Sequence, residues 1–259
     1  MAEYRFNPIG VLHCDAVYTQ ETPRQGAFSR RTAVIELDRQ YKNALQDLDG
    51  VSHIWIIWVF DRAKNWKSIV HPPTADRGIG VFATRSPHRP NPIGITAARL
   101  VKVEDTRLTV ENIDLLDNTP ILDIKPYIPD ADSFPEAQVK WQNENPFEIK
   151  EFSFSETAEE KALFIKEHGN IDILETARVQ LATRKLDPER QRLVLEENGG
   201  VLAFRTWRIH FSYDDSGINV TDIASGYTPE ELSPESIDKY GDHELHRKFL
   251  QKFFALSSK

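Results

Sequence analysis

One cysteine, Cys14, is the only thiol in this 259-residue chain. An internal disulfide is therefore excluded, as is a thiolate metal cluster within one chain. That fits a reducing compartment. Long apolar runs are missing as well: the longest, residues 54–60, is far too short to span a bilayer. The first residues, MAEYRFNPIG, show no basic stretch followed by an apolar one, so no signal peptide is expected. A cytoplasmic protein without a membrane part is the expectation. Several catalytic fingerprints are absent too. There is no GxGxxG, no GxxxxGK[ST], no HExxH and no GxSxG. The eight histidines are scattered, without convincing metal-ligand spacing. His243 and His246 lie one helical turn apart and read as part of a solvated tail helix. No internal repeat or low-complexity tract is present.

The formal net charge of −8 argues at first sight against nucleic acid, but the distribution is uneven. Residues 1–135 are close to balance, with 16 Lys/Arg against 17 Asp/Glu, so the excess of acid lies beyond them. Residues 62–107 carry nine basic side chains, among them Arg62, Lys64, Lys67, Arg77, Arg85 and Arg89, against three acidic ones. A local basic face on an acidic protein can hold a phosphate backbone. A solvated mixed surface explains the same counts.

The hydrophobic fraction of 40% and charged fraction of 28% are those of a globular chain long enough to bury a core without staples. Its first 135 residues read mainly as strands: 6–12, 33–37, 52–60, 78–83, 94–103, 107–113 and 121–127, with a short helix at 39–47. The run SHIWIIWVF at 52–60 has the β-branched and aromatic content of a buried strand. Many strands between Pro/Gly/Asp turns, with few helices, point to a closed β-barrel or a sandwich rather than a doubly wound sheet. The stretch 128–150, rich in Pro, Asp, Asn and Glu, reads as a linker or wrapping loop, and the linker between domains is placed at 136–156. A small α+β domain follows at 157–228. Its first helix, 158–168, opens on a capping box from Thr157 and Glu160. A second helix is expected at 172–185, and a third from Asp187-Pro188 to Gly199-Gly200. Two strands, 201–213 and 217–223, would pair through the turn at 214–217. The remainder, 229–259, is a tail with an amphipathic helix at 243–256.

Two segments carry the unusual chemistry. GVFATRSPHRPNPIGIT, residues 80–96, runs from a strand into a loop with Pro87, Pro90 and Pro92. Those prolines lower the entropy cost of ordering the loop. A rigid loop presenting Arg85 and Arg89 suits a carboxylate or a phosphate. The bland alternative is a proline-stiffened barrel corner. DLLDNTPILDIKPY, residues 114–127, gathers Asp114, Asp117, Asp123, Lys125 and Tyr127 around the turn Asp117-Asn118-Thr119-Pro120. Strand alternation would put Ile121, Asp123, Lys125 and Tyr127 on one face, which is expensive to bury unpaired and so is expected at a cleft. A solvated edge strand is the alternative. A weaker signal is the loop Thr22-Pro23-Arg24-Gln25-Gly26.

With those residues in view, the chain resembles the TrmO/YaeB (TsaA-like) family of tRNA methyltransferases. FATRSPHRPNPIGIT and DLLDNTPILDIKPYIP resemble its paired signature, and IGVL, TPRQG and HIWIIWVF fall in the expected order. The resemblance is strong over residues 5–135. It is weaker over 170–225, where LDPERQ and WRIHF resemble the small C-terminal domain of some bacterial members. It implies a closed β-barrel that binds S-adenosylmethionine, works as a homodimer, and methylates N6 of N6-threonylcarbamoyladenosine at position 37 of threonine tRNA. The motifs place cofactor contacts on Pro23, Arg24 and Gln25, on Arg85, and on Asp117, Asn118, Thr119 and Pro120, with Asp61 and Arg62 as a further edge. Arg89 and Lys125 are expected at tRNA phosphate or substrate carboxylate. Asp117 or Tyr127 would take the proton, with Lys125 nearby. Relatives usually carry Asp-Gly-Thr-Pro at the turn, and a histidine is more familiar than Asp61. A barrel that binds an adenosyl ligand without catalysis, or one that methylates another acceptor, are the alternatives.

Overall fold

The computed structural model describes residues 4–72, 75–144, 150–182, 186–189 and 191–254. They fall into two units, Met1–Phe147 and Glu148–Lys259.

In the first unit six strands close on themselves: β1 (Gly10–His13), β2 (Thr32–Leu37), β3 (His53–Val59), β6 (Ile93–Glu104), β7 (Arg107–Glu111) and β8 (Thr119–Pro126), in the cyclic order β1-β2-β7-β6-β3-β8. A two-stranded ribbon of β4 (Ile69–Val70) and β5 (Ile79–Gly80) branches from the long β3–β6 connection. Two short helices, α1 (Pro129–Asp132) and α2 (Lys140–Asn143), follow the barrel. Alternation explains the closure. Ile54, Ile56 and Trp58 of β3 point inward with Ile35 of β2, Leu108 and Val110 of β7 and Ile121 of β8, and all are buried. Each such side chain contributes about 1.5–3 kcal/mol by leaving water. Closure also leaves the barrel without an unpaired edge.

Pairing fixes the two ends of the barrel. Leu12 pairs with Thr119, Thr32 with Glu111, and Val59 with Ile93. The β1–β2, β3–β6 and β7–β8 connections therefore all emerge at one end. The opposite end holds the tight β6–β7 turn around Asp105 and the exit of β8.

Several sequence expectations change. The strand expected at 6–12 is β1, shifted to Gly10–His13, and the helix expected at 39–47 is a 3-10 segment, Arg39–Leu45. The run 78–83 is the short β5 followed by a 3-10 turn, Val81–Ala83. On β8 the shared face is broken: the β3 pairing slips between Ile57↔Asp123 and Trp58↔Ile121, leaving Leu122 as a bulge. Ile121 faces the core, whereas Asp123, Lys125 and Tyr127 share the outer face.

The second unit packs α3 (Glu156–Gly169), α4 (Ile173–Leu181) and α5 (His243–Phe254) with a five-stranded sheet in the order β10-β11-β12-β13-β9. Its strands are β9 (Phe152–Phe154), β10 (Leu193–Glu196), β11 (Gly199–Phe204), β12 (Trp207–Tyr213) and β13 (Ile218–Ser225). Ser155 caps α3 by accepting from the Ala158 N–H, two residues ahead of the expected capping box. The helix expected after Pro188 is instead β10, paired antiparallel with β11. The single strand expected at 201–213 folds back at Arg205-Thr206 into the β11–β12 hairpin. Residues 183–185 of the expected second helix and 255–256 of the tail helix lie outside the described residues. His243 and His246 are not solvated: they are 3% and 0% exposed. Among the described residues, no helix is long and apolar enough to cross a membrane.

Candidate active site at one end of the barrel

Three connections that carry the sequence signals meet at the same end. In the β7–β8 connection Asn118 takes a left-handed backbone, φ 62°, which Asn tolerates better than most residues. The Asp117 N–H donates to the Ala16 carbonyl (2.7 Å) and the Asn118 N–H to the Leu12 carbonyl (2.9 Å). Asp117 Oδ1 accepts from the Cys14 N–H (3.1 Å), Asp117 Oδ2 accepts from Asn118 Nδ2 (2.7 Å), and His13 Nδ1 lies 3.6 Å from Asp117 Oδ1. Thr119 is buried, and its hydroxyl donates to the Leu116 carbonyl (2.7 Å). The Asp117 carboxylate thus helps to hold the turn against β1, with lone pairs to spare on both oxygens. Arg62 does the same from the β3–β6 connection. Its guanidinium donates to the carbonyls of Val17 and Asp117, both at 2.6 Å. Asp61, beside it, is exposed.

Arg85 is exposed, and its Nη1 donates to Gln25 Oε1 at 2.5 Å. This joins the RSPHRP loop to the TPRQG loop, where Pro23 is buried and Arg24 exposed. Gly26 has to be glycine here: a Cβ would stand 2.2 Å from the Asn112 carbonyl oxygen and 2.9 Å from Thr96 Cγ2. Arg89 is turned inward. Its Nη1 donates to the carbonyls of Val81 (3.1 Å) and Thr84 (2.8 Å), and the guanidinium lies 5.8 Å from the Phe82 ring centroid. It braces the 3-10 turn rather than standing ready for phosphate.

Asp114 lies at the start of the β7–β8 connection, at the same end. Its Oδ1 accepts from the Thr96 hydroxyl (2.5 Å), and Thr96 accepts from Trp58 Nε1 (3.1 Å). Burial pushes the Asp114 carboxyl up to about 6, offset in part by the Thr96 hydrogen bond and the nearby Arg85 charge. Cys14 also lies at this end, where burial pushes its thiol up to about 11. It stays protonated near neutral pH and is no nucleophile.

The structure does not bring Lys125 and Tyr127 to this end. Eight residues of strand separate Thr119 from Tyr127, roughly 26 Å along β8. Lys125 pairs with Asp123 at 2.8 Å. Tyr127 packs on Trp55 with ring centroids 5.4 Å apart, near the Asp132 carboxylate that accepts from Trp55 Nε1. Sequence reasoning named Asp114 without assigning it a role, and overlooked Thr96 and Trp58. Alternation along β6 and β3 marks the last two as inward-facing, but nothing local shows that the indole and hydroxyl would meet.

A small closed antiparallel barrel, with one end built from an arginine–amide pair, a polar turn and a buried carboxylate, defines a barrel-type ligand-binding protein rather than a Rossmann one. The family model described as the tRNA-methyltransferase O N-terminal domain matches residues 11–133. A Pseudomonas aeruginosa relative, a "putative S-adenosylmethionine-dependent methyltransferase RcsF", is 35% identical over 85% of this chain and 97% of its own length. The "tRNA (adenine(37)-N6)-methyltransferase" of Escherichia coli K12 is 33% identical over 64% of this chain and 75% of its own length. A "probable S-adenosyl-L-methionine-binding protein" of Archaeoglobus fulgidus is 40% identical over 53% of this chain, which matches 38% of that longer protein. The crystal structure of TrmO from Pseudomonas aeruginosa superposes with a TM-score of 0.63 at 30% identity, covering 86% of this chain and 99% of the other. The chain belongs to the tRNA-methyltransferase O family.

Proposed function

We propose that this protein is an S-adenosylmethionine-dependent tRNA methyltransferase acting on N6 of adenosine 37, with the threonylcarbamoylated base of threonine tRNA as its acceptor. The observation that carries the reading is the convergence of the TPRQG loop, the RSPHRP loop and the DNTP turn at one end of a closed barrel, tied together by Arg85–Gln25 and by Arg62 on the Asp117 carbonyl. The relatives' names supply the cofactor and the acceptor class.

The donor set fits the cofactor. Arg85 offers an exposed guanidinium fork for a carboxylate, with Gln25 beside it. The residues around Asn118 offer backbone groups for an adenine edge, flanked by Pro120 and Pro23, with Arg24 and Asp61 at the margin. When bound, S-adenosylmethionine supplies a methyl group already activated on a sulfonium. What remains for the protein is to align the acceptor nitrogen in line and to exclude water. The prolines of the RSPHRP loop and the Arg89 brace keep Arg85 in place, so little reorganisation accompanies binding. Asp117 is the carboxylate of the turn itself and is the one we assign to the departing N6 proton. Lys125 and Tyr127, on the outer face at the far end, serve tRNA backbone contact in this reading. The base is read splayed out of the anticodon loop.

We further infer a homodimer working in the cytoplasm. Ile93 and Ile95, 41% and 46% exposed, pair with Val59 and Ile57 on the outside of the barrel, a bare apolar stripe suited to a second copy. The test is methyl transfer: purified protein, S-adenosylmethionine and tRNA, followed by nucleoside digestion and mass spectrometry. A methylated threonylcarbamoyladenosine is expected. Unaltered nucleosides alongside measurable cofactor binding would favour a non-catalytic adenosyl-binding module.

A further inference from the structure

We propose that Phe82 and Trp66 form a stacking platform for unpaired bases of the anticodon loop beside the base to be methylated, with Lys64 and Lys67 on the adjoining phosphates. The proposal rests on the reading of this protein as a tRNA methyltransferase and names the surface that meets the RNA.

Both rings lie outside the core. Phe82 is 78% exposed and Trp66 58%. The ribbon that branches from the β3–β6 connection puts them there. Ile69 pairs with Gly80 and Val70 with Ile79, and the Val81 N–H donates to the Ser68 carbonyl (2.9 Å). Residues 66–69 thus run alongside 80–83. Val70, Ile79 and Val81 are the buried side chains of this pair of segments, so Phe82 and Trp66 cover no core.

Single exposed apolar side chains are ordinary. These two differ in how firmly their backbone is held, each by a residue of the RSPHRP loop. Arg89 Nη1 donates to the carbonyls of Val81 and Thr84, on either side of Phe82. The Trp141 indole donates to the Ala83 carbonyl between them (2.9 Å). His88 clamps Trp66 in the same way: its Nδ1 donates to the Asn65 carbonyl (3.2 Å), and its own carbonyl accepts from the Lys67 N–H (3.0 Å). An aromatic side chain on a fixed backbone loses little entropy when a partner settles on it. The chain length between Phe82 and Arg85 keeps their Cα atoms within roughly 11 Å, so the platform adjoins the end of the barrel assigned to the reaction.

Charge selects the occupant. Between Arg62 and His71, and again between Arg77 and Val103, the chain has no Asp or Glu. Lys64 and Lys67 flank Trp66, are exposed, and form no ion pair among the described residues. Aromatic faces interleaved with uncompensated cations suit single-stranded nucleic acid, whose bases stack while its phosphates take the charge. An apolar protein surface would leave both lysines unanswered.

The test measures the affinity of wild type and variants for threonine tRNA, with S-adenosylmethionine affinity and the melting curve followed alongside. Phe82→Ala and Trp66→Ala are each expected to weaken tRNA binding roughly tenfold, with cofactor affinity and melting unchanged. Phe82→Trp should restore binding, whereas Phe82→Leu should not, because an aliphatic chain offers no ring face to a base. Changing both Lys64→Gln and Lys67→Gln should flatten the salt dependence of tRNA binding, which Phe82→Ala leaves alone. Should Phe82→Ala fail to fold, Trp66→Phe provides the second reading: tRNA quenches indole fluorescence in wild type, and that quenching should shrink in the variant. Wild-type tRNA affinity in both alanine variants would overturn the platform while leaving methyl transfer and the proposed function standing. Full rescue by Phe82→Leu would overturn it too, as would a parallel loss of cofactor affinity, which would put the ring in the cofactor site. A changed sedimentation state with unaltered tRNA affinity would make the patch an interface between copies and overturn the proposal. A wild type that neither binds nor methylates tRNA would remove the tRNA reading itself, and the platform with it.

Discussion

Arg85 and Asn118 show how single residues set this site. Arg85 leaves the proline-stiffened loop exposed, with its guanidinium bonded to Gln25. Replacing it with alanine is expected to weaken S-adenosylmethionine binding at least tenfold, about 1.4 kcal/mol, with the melting temperature unchanged. Titration calorimetry checks this, and equal affinity would remove Arg85 from the site. Asn118 holds a φ of 62°, a conformation that glycine adopts at no steric cost and that Asn tolerates. Asn118→Gly should leave stability within about 0.5 kcal/mol of wild type, while Asn118→Val should cost roughly 1–2 kcal/mol through left-handed strain. Denaturant unfolding distinguishes the two. The turn was legible in the sequence because its special φ falls on a residue with a known tolerance. Arg205 was not: it too has a positive φ, 50°, on a residue type that carries no such signal.

That one angle explains the largest misreading among the elements. With no Gly, Asn or Pro at 205–206, VLAFRTWRIHFSY alternates convincingly as one strand, yet it is a hairpin with Phe204 paired to Trp207. The helix expected after Asp187-Pro188 failed for a related reason, since Asp-Pro suits a turn as well as a helix start. Tertiary pairing decided for β10, with Gly200 needed because a Cβ would lie 2.2 Å from the Val194 carbonyl oxygen. The barrel strands were legible because a core fills only one face of each. Helix α5 was placed well, but its amphipathic pattern could not show that two histidines belong to the buried side. His246 stacks on Trp207 with centroids 3.8 Å apart. Its Nε2 faces Thr206 Oγ1 at 2.9 Å, and its Nδ1 faces Ser225 Oγ at 2.8 Å. Thr206 donates to Asp242 (2.6 Å), so it accepts from His246 Nε2–H, and Ser225 then donates to an unprotonated Nδ1. Burial lowers the His246 pKa to about 4 despite the nearby Asp242 carboxylate. The unfolded chain, with an ordinary value near 6.5, binds the proton first. Stability from this group is full above about pH 6.5 and is lost as pH falls toward 4. The denaturant midpoint of the C-terminal unit should fall across that window, and the slope should flatten in His246→Asn. A slope unchanged by that substitution would contradict the network.

For the whole molecule, two cores account for the division into units: one inside the barrel and one between sheet and helices. All the residues assigned to the cofactor lie in the first. A fragment of residues 1–147 is therefore expected to retain S-adenosylmethionine binding within threefold of the intact chain, measured by calorimetry. Loss of binding in a folded fragment would place part of the site in the second unit. The overall charge of −8 hides the basic stretch at 62–107, and two of its nine basic side chains prove to be bracing. Arg62 and Arg89 hold backbone carbonyls, so counting charges along the sequence overstated the surface offered to RNA. Nucleic-acid affinity is expected to be modest and to fall with salt.

The most direct measurement follows labelled methyl from S-adenosylmethionine into threonine tRNA with and without the threonylcarbamoyl group at adenosine 37. Label on the modified tRNA alone is predicted. Label on both tRNAs, or on neither despite cofactor binding, would contradict the account.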